Sequence, residues 1–410
     1  MSEQPVTQTP PEAPEPEAPR RDWGTAWRHV VESSGLVVAM AILAALLIAG
    51  LLVIIVDPAV QDAAKYFFAQ PADFFKAAWD ALWSVYSAIF QGAVVNLDSS
   101  TFAGTIRPFT QTLTQATPLI FAGLGLGIGF RAGMFNIGAQ GQLLIGATLG
   151  AYIGFAWDLP FPLHLVLAIL GCAVGGAIWG FIPGILKAKT GAHEVIVTIM
   201  LNYIALNLVA WLLSLDAFKV NDVQSNPKSP LVETSAQYPL LLGGNFNLHW
   251  GFVLALVCAW GVWWLMERST LGFEIRAAGA NARAARTAGM SVTKTTILVM
   301  TIAGALAGLA GSTFVLGTEK ALTDATGGTV GFDAITVALL GRSRPVGTVF
   351  AAILFGGLQA AGPTLQTQAD LRPDIIFVIQ ALVVLFIAAP PLVRTMFRLP
   401  VPAHEKVVAA

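Results

Sequence analysis

One amide- and glycine-rich segment, residues 131–142, could let a polar solute pass through a membrane. It reads Arg-Ala-Gly-Met-Phe-Asn-Ile-Gly-Ala-Gln-Gly-Gln and lies between two long apolar stretches. Irregular backbone at membrane depth is stable only when it packs inside protein or lines a water-filled cavity, because unsatisfied backbone groups are costly there. The segment therefore indicates a solute path, with an ordinary cytosolic turn as the alternative.

A second informative segment is the largest predicted cytoplasmic loop, residues 267–296. Asn281 suits the cap at a helix start, residues 282–288 favour a helix, and Gly289 suits the left-handed residue after a helix end. A helix of two turns is unstable alone in water, and no other part of the chain is predicted to be cytosolic enough to receive it. The loop therefore predicts a docking site for a partner, with a simple connector as the alternative.

Motifs for catalysis, metal binding and ATP hydrolysis are incomplete. Residues 193–197 begin like a zinc-protease helix, but Val197 stands where the second histidine would be. No Gly-Lys pair occurs, so there is no Walker-type phosphate loop, and any ATP that drives the protein must be hydrolysed by another chain. Glu194 fits a helix start, and Asp333 fits the outer end of a span as a helix cap. An ion-coupled carrier would need a cluster of buried acids, which the sequence lacks.

The composition of the chain indicates the class of protein to which these segments belong. Of the 410 residues, 55% are hydrophobic and only 11% are charged, and the mean hydropathy is +0.69. These values predict an all-α polytopic membrane protein. The net charge of −1 does not favour a nucleic-acid partner. Cys172 and Cys258 each lie in an apolar run and are predicted to be packing residues. Residues 1–30, rich in proline and glutamate, are predicted to be a disordered tail.

About ten transmembrane helices are expected, because crossing the hydrocarbon core takes roughly 20 apolar residues. Some are short, as expected of broken helices, and spans two to five and seven to ten are predicted to form two inverted repeats. The candidate spans are residues 35–56, 113–130, 143–157, 163–186, 195–215, 248–266, 297–316, 329–340, 346–361 and 375–389. The transmembrane domain is thus expected over residues 31–395, followed by a tail at 396–410.

Basic residues set the expected orientation. With ten spans and both termini cytoplasmic, 16 of the 23 lysines and arginines lie inside, which satisfies the positive-inside rule. Residues 57–107 are then external. Within them Trp79, Trp83 and Phe90 fall on one helical face, which predicts a helix lying along the membrane interface. A plain packing face for these aromatics is equally open, and an eleventh span would invert every later loop.

Glycines recur at four-residue spacing in several spans, which favours close approach of helix backbones. The pairs include Gly125/Gly129, Gly176/Gly180 and Gly304/Gly308.

Four blocks of the chain resemble a known family. They are residues 130–142, 194–203 (Glu-Val-Ile-Val-Thr-Ile-Met-Leu-Asn-Tyr), 272–289, and 331–341 (Gly-Phe-Asp-Ala-Ile-Thr-Val-Ala-Leu-Leu-Gly). In this order they look like the permease subunits of bacterial ABC importers for nucleosides. The likeness is to the longer of two permeases served by a basic-membrane-protein-type binding lipoprotein, and it covers most of residues 35–389.

The resemblance implies roles for particular residues. The coupling region that docks on the ATPase would contain Gly272, Arg276, Gly279, Asn281, Ala285 and Gly289. Candidates near the translocation path would be Asn136, Gln140, Gln142 and Asn202. Amides suit such a path, because they exchange hydrogen bonds with hydroxyls and base edges without trapping the solute. Two positions depart from the family, since Gln140 stands where Glu is usual and His193 where Asn is usual.

The resemblance also implies partners and a location. The chain would pair with a second permease as a heterodimer, dock ATPase subunits that use the ATP, and receive solute from the lipoprotein in a bacterial inner membrane. It would bind no cofactor of its own and would work by alternating access. A permease for simple sugars or branched-chain amino acids is the first alternative. An ion-coupled secondary carrier and a membrane enzyme are weaker ones.

Overall fold

The computed structural model describes residues 34–219, 227–368 and 375–398, and regular structure within these ranges is helical. The predicted amino-terminal tail and most of the carboxy-terminal tail lie outside the described residues. In chain order the helices are α1 (Ser34–Val56), α2 (Pro58–Lys65), α3 (Pro71–Ala93), α4 (Phe102–Arg131), α5 (Ala139–Ala156), α6 (Leu163–Thr190), α7 (Glu194–Leu212), α8 (Gly251–Arg268), α9 (Thr270–Ala280), α10 (Ala282–Thr287), α11 (Val292–Thr313), α12 (Val330–Leu340), α13 (Pro345–Ala360), α14 (Gly362–Gln368), α15 (Ile375–Ala388) and α16 (Pro390–Met396). A π-helical turn, Phe314–Thr318, extends α11.

Each of the ten predicted spans coincides with a helix, which confirms a polytopic all-α protein. Within the described ranges, seven helical segments are long and apolar enough to cross a membrane. They are α1, α4, α6, α7, α8, α11 with its π-helical turn, and α13 continued by α14. The apolar helices α12 and α15 are shorter, and α5 has 18 residues.

The helix α4 begins earlier than the span predicted within it. It starts at Phe102, where the Thr101 side chain caps the first turn by accepting the Gly104 N–H at 3.2 Å. Its polar threonines do not break the helix, because their hydroxyls bond to carbonyl groups. Thr114 and Thr117 each donate to the carbonyl four residues earlier, at 2.9 and 2.7 Å. The threonine-rich first half therefore continues the helix, which hydropathy alone did not predict.

The helices α6 and α11 meet backbone to backbone through glycine, as the four-residue spacing predicted. A Cβ at Gly176 would overlap the carbonyl oxygen of Gly304, and a Cβ at Gly304 would overlap that of Gly176. Gly146 of α5 lies equally close to Gly308 of α11. Backbones in such contact leave no room for a side chain, so α5, α6 and α11 form one tightly packed block.

The external segment predicted at residues 57–107 contains a continuous helix, α3. Tyr86 of α3 donates a hydrogen bond to the Leu46 carbonyl of α1 at 2.6 Å. Trp79 and Trp83 are each 65% exposed, while Ala81 and Val85 on the other face are buried. The helix thus has one packed face and one exposed aromatic face. Its placement along the membrane interface remains a prediction.

The bundle has two ends that matter for function. At the end here called the coupling end, Arg131 of α4 pairs with Glu267 of α8 at 2.7 Å, and Gly127 lies against Ser343 in the turn after α12. At the opposite end, here called the distal end, residues 227–250 pack on residues 316–323. There the Ser229 N–H donates to the Leu322 carbonyl and the Tyr238 N–H to the Leu316 carbonyl, at 2.9 and 2.8 Å.

His249 is buried in this distal assembly. Its ring stacks on Tyr238 with 5.1 Å between centroids, and its Nδ1 accepts the Gly251 N–H at 3.1 Å. Burial lowers the pKa of His249 to about 4, because the charged imidazolium would lose its hydration.

Candidate functional site

The predicted break begins at the coupling end and leads inward to the start of α5. The helix α4 ends at Arg131, Gly133 takes a left-handed conformation with φ of +68°, and α5 begins at Ala139. Glycine is favoured at residue 133 because other side chains rarely adopt that backbone conformation. Residues 132–138, here called the break, are therefore irregular backbone between two helices.

The four predicted amides all lie at this break and are buried. The Asn136 Nδ2 donates to Gln142 Oε1 at 3.0 Å, and Asn136 Oδ1 accepts the Gly138 N–H at 3.0 Å. Asn202 reaches in from α7: its Oδ1 accepts the Gly141 N–H and its Nδ2 donates to the Ile137 carbonyl, both at 2.8 Å. The amides thus satisfy the backbone groups that the break leaves free. This explains how irregular backbone is stable within the bundle.

Gln140 makes a different contact, to a helix that is distant in sequence. Its Oε1 accepts the N–H of Gly331 at 2.8 Å. Gly331 is in the first turn of α12, and a Cβ there would overlap the Gln140 backbone nitrogen. The first turns of α5 and α12 therefore touch. Gly331 begins one of the four blocks that carry the family resemblance, but its role in this contact could not be read from the sequence.

From this contact α5 and α12 run to opposite ends of the bundle. The far end of α5 reaches the distal end, where the Gly154 carbonyl accepts the Glu233 N–H at 2.9 Å. The far end of α12 reaches the coupling end at Gly341, beside Ser343. The contact, here called the paired helix starts, brings together the positive ends of two helix dipoles. Two inverted repeats containing broken helices would produce this arrangement.

Two donors at the paired helix starts are unsatisfied within the described bundle. Within the described part of the chain, the N–H of Ala139 and the Nε2 of Gln140 have no hydrogen-bond partner. Nearby, Asp333 in the first turn of α12 accepts bonds from Thr329 and Gln359 at 3.0 and 3.1 Å. The arrangement can offer hydrogen bonds to hydroxyl or carbonyl oxygens of a neutral solute.

The predicted coupling loop packs directly on the break. A Cβ at Gly279 of α9 would overlap the Arg131 carbonyl oxygen, and Gly133 in turn lies against Gly279. A cavity of about 290 Å³ opens beside this contact, lined by residues of the break, of α9 and α10, and by Lys187. We call the approach of Gly279 to residues 131–133 the coupling contact. Nothing larger than glycine fits at residue 279 without moving backbone.

The predicted local structure after α9 is confirmed. Asn281 caps α10 through its Oδ1, which accepts the N–H groups of Arg283 and Ala284 at 3.0 and 3.1 Å. Gly289 follows the helix with φ of +84°. Only Ala285 of α10 is buried, and Arg283 has an exposed side chain. The short helix therefore presents most of its surface outward.

The loop also contains α9, which the sequence analysis did not predict and which packs against α8. Gly272 and Ile275 are buried, and Gly272 lies against the backbone of Leu265 and Met266. A half-buried Arg276 belongs to the same helix. The sequence did not indicate α9 as a separate helix, and so it missed the surface that α9 packs on. The inference of a partner now depends on α10 alone.

The other candidate groups have structural roles. Glu194 begins α7 and forms an ion pair with Lys187, as expected of a carboxylate at a helix start. Cys172 is buried, Cys258 is half-buried, and neither forms a disulfide. Among the described residues, no group of three or more His, Cys, Asp or Glu side chains could hold a metal ion.

Broken helices that meet inside a polytopic helical bundle are typical of membrane permeases. The comparison with known proteins agrees. Residues 109–389 match the family described as branched-chain amino acid transport system / permease component. The chain belongs to this family and is a permease subunit of an ABC transporter, which confirms the resemblance seen in the four blocks.

Characterised relatives cover most of the chain. The guanosine ABC transporter permease NupP of Bacillus subtilis is 40% identical over 76% of this chain and 87% of its own length. The nucleoside ABC transporter permease NupB of Lactococcus lactis is 35% identical over 72% of this chain and 82% of its own. The glucose ABC transporter permease TsgB13 of Haloferax volcanii is 34% identical over 68% and 75%. No solved structure matches the chain.

Proposed function

We propose that this chain carries nucleosides across the bacterial inner membrane as one permease of an ATP-driven importer. The cargo is supported by the 40% identity to the guanosine permease over 76% of this chain. The mechanism is supported by one structural observation, the coupling contact between α9 and the break. Through this contact, a movement imposed on the loop would reach the backbone next to the four amides.

The orientation of the chain in the membrane follows from where ATPase subunits dock. In this proposal α10 and the exposed part of α9, including Phe273 at 56% exposure, form the docking surface. ATPase subunits lie in the cytoplasm, so the coupling end and both termini are cytoplasmic, in line with the distribution of basic residues. The partner hydrolyses ATP, and this chain binds no cofactor.

The paired helix starts suit a nucleoside as passing cargo. The N–H of Ala139 and the Nε2 of Gln140 would donate to ribose hydroxyls or to base acceptors, and the two helix dipoles favour electron-rich atoms. The remaining amides, Asn136, Gln142 and Asn202, would hold the backbone around this point. Alternating access would open the paired helix starts first to the distal end and then to the coupling end.

A second permease is the expected partner within the membrane. On α7, Tyr203 is 62% exposed, and Asn207, one turn further along the same helix, is exposed as well. The Asn207 Nδ2 donates to the Tyr203 carbonyl at 2.8 Å, but the remaining polar groups of both side chains would rarely face hydrocarbon, because they would be left without partners there. We place the second permease against this face, with the solute-binding lipoprotein at the distal end.

Glucose is the main alternative cargo, because the glucose permease TsgB13 is 34% identical, close to the value for NupB. Branched-chain amino acids are a further alternative, given the description of the family. Both use the same mechanism with a different binding protein.

Reconstitution tests the proposal. Proteoliposomes would contain this chain, the second permease, the ATPase and the binding lipoprotein, and uptake of labelled guanosine, uridine, glucose and leucine would be measured with and without ATP. We expect uptake of a nucleoside that depends on ATP and on the ATPase. Uptake of glucose or leucine but of neither nucleoside would overturn the cargo. Concentrative uptake by this chain alone would overturn the mechanism.

A further inference from the structure

A groove of about 550 Å³ lies at the coupling end, and its lining contains no residue of the break, of the paired helix starts or of α9 and α10. It runs between α1 and the turn that joins α12 to α13. Its lining is mainly apolar and includes Val38, Ile42, Val346 and Phe350, and its mouth carries Arg342 and Arg344.

The turn that carries the two arginines has an unusual backbone. Arg342 and Ser343 both take left-handed conformations, with φ of +54° and +53°. Such conformations are costly for side chains other than glycine and persist only where the surroundings impose them. Here the Ser343 N–H donates to the Ala338 carbonyl at 2.8 Å, and the Arg344 N–H to the Gly341 carbonyl at 3.0 Å. The turn thus places two exposed arginines at the mouth of an apolar groove.

The charge of these arginines is not neutralised within the described residues. The groove lining contains no carboxylate, and no ion pair involves either residue there. Glu267 is near enough to Arg344 to interact electrostatically, but its carboxylate is bonded to Arg131 at 2.7 Å. The mouth of the groove therefore favours an anion.

The apolar part shows what kind of molecule carries that anion. Val346, Phe350 and Leu354 follow one another at four-residue steps along α13, and Val38 and Ile42 do the same on α1. Val346 is 61% exposed and Phe350 is 69% exposed. These apolar side chains extend along membrane helices, so a protein docking from the cytosol would not cover them. The acyl chain of a lipid would cover them.

We propose that this groove binds one anionic phospholipid. The phosphate would lie against the guanidinium groups of Arg342 and Arg344, which can bond phosphate oxygens in pairs. One acyl chain would lie along Val38, Ile42 and Phe350. Basic pockets between helices at the cytoplasmic surface favour such headgroups. The bound lipid would join α1 to the turn after α12, whose helix starts at the solute site.

Lipid binding to the assembled transporter tests the proposal. Native mass spectrometry and titration in nanodiscs would compare phosphatidylcholine alone with phosphatidylcholine mixed with phosphatidylglycerol. The double variant Arg342→Gln/Arg344→Gln removes the anion contact, and Lys189→Gln is its control, an exposed cation elsewhere. Val346→Trp fills the groove, and Leu170→Trp on exposed α6 surface is its control.

We expect phosphatidylglycerol to bind wild type and both controls. The double arginine variant should bind it roughly thirtyfold more weakly, since each surface arginine contributes about 1 kcal/mol to attraction of anionic lipid. Val346→Trp should lose the bound lipid at unchanged charge. Equal binding by wild type and the double variant would overturn the proposal. So would displacement of the lipid by inorganic phosphate alone, or loss of the ATPase subunit rather than of lipid in the double variant.

Discussion

The coupling contact makes a sharp prediction for the substitution Gly279→Ala. The new Cβ would overlap the Arg131 carbonyl oxygen and lie 2.9 Å from the carbonyl carbon of Ala132. Both neighbours are backbone atoms and cannot rotate away, so α9 and the break must separate. Overpacking of this kind costs about 1–3 kcal/mol. In an unobstructed helix the same change would stabilise by up to about 1 kcal/mol, because alanine favours helix over glycine.

This cost falls only on conformations in which α9 touches the break. A bias of about 1–3 kcal/mol shifts a two-state equilibrium by roughly 5- to 150-fold. If the contact transmits ATPase movement, as proposed, solute uptake per ATP hydrolysed should fall at least about fivefold. Assembly with the ATPase should be retained, because the exposed surface of α10 is unchanged.

The assay measures ATP hydrolysis and solute uptake by the same proteoliposomes. Gly261→Ala is the matched control: it is also a glycine within a helix, but a Cβ there meets nothing within 4 Å. We expect the control to match wild type in both measurements. Normal uptake per ATP by Gly279→Ala would refute the reasoning, and an equal loss in Gly261→Ala would show that the effect is not specific to the contact.

Three further predictions concern stability and use thermal unfolding of the purified permease. Gln140→Leu should lower stability by about 1–3 kcal/mol, because the buried Gly331 N–H loses its acceptor, whereas Gln140→Glu keeps an acceptor; equal losses in both variants would contradict this role. Gly304→Ala should cost about 1–3 kcal/mol, because its Cβ overlaps the Gly176 carbonyl, and a variant as stable as Gly261→Ala would argue against the tight block. The pKa of His249 is lowered from 6.5 to about 4 in the folded protein. Neutral His249 therefore stabilises the folded protein fully above the unfolded pKa of 6.5, and up to about 3 kcal/mol of the free energy of unfolding is lost as pH falls from there to about 4. His249→Gln should remove this loss of stability in acid. An unchanged dependence of stability on pH in the variant would contradict this role.

The sequence predicted the local features of the site well. Apolar runs located the spans because burial in lipid demands them, and Asn281 and Gly289 located both ends of α10 because capping is a local matter. The start of α4 was missed, since threonine hydroxyls that bond within the helix look polar to any hydropathy measure. The helix α9 was missed, and the part of its packing surface formed by Arg131 and Ala132 comes from residues distant in sequence.

The central contact of the site could not be predicted from the sequence. Gln140 and Gly331 are 191 residues apart, and neither residue has a local pattern that indicates the other. The amides were identified as path candidates from the resemblance. The structure shows that three of them bond to the break and its neighbours, a role that residue type alone cannot distinguish from binding solute.

The packing of the bundle argues for where movement occurs. In the block formed by α5, α6 and α11, backbone contacts at Gly176 and Gly304 hold helices together. Close-packed interiors of this kind do not deform to absorb strain. If the ATPase displaces α9, as proposed, the displacement cannot be taken up inside this block. It must appear at the break, which connects α4 to α5 and is irregular backbone held by side-chain amides. Because hydrogen bonds to side chains rearrange more readily than glycine-packed helices, the proposed mechanism expects the break to receive the movement and to carry it to the paired helix starts.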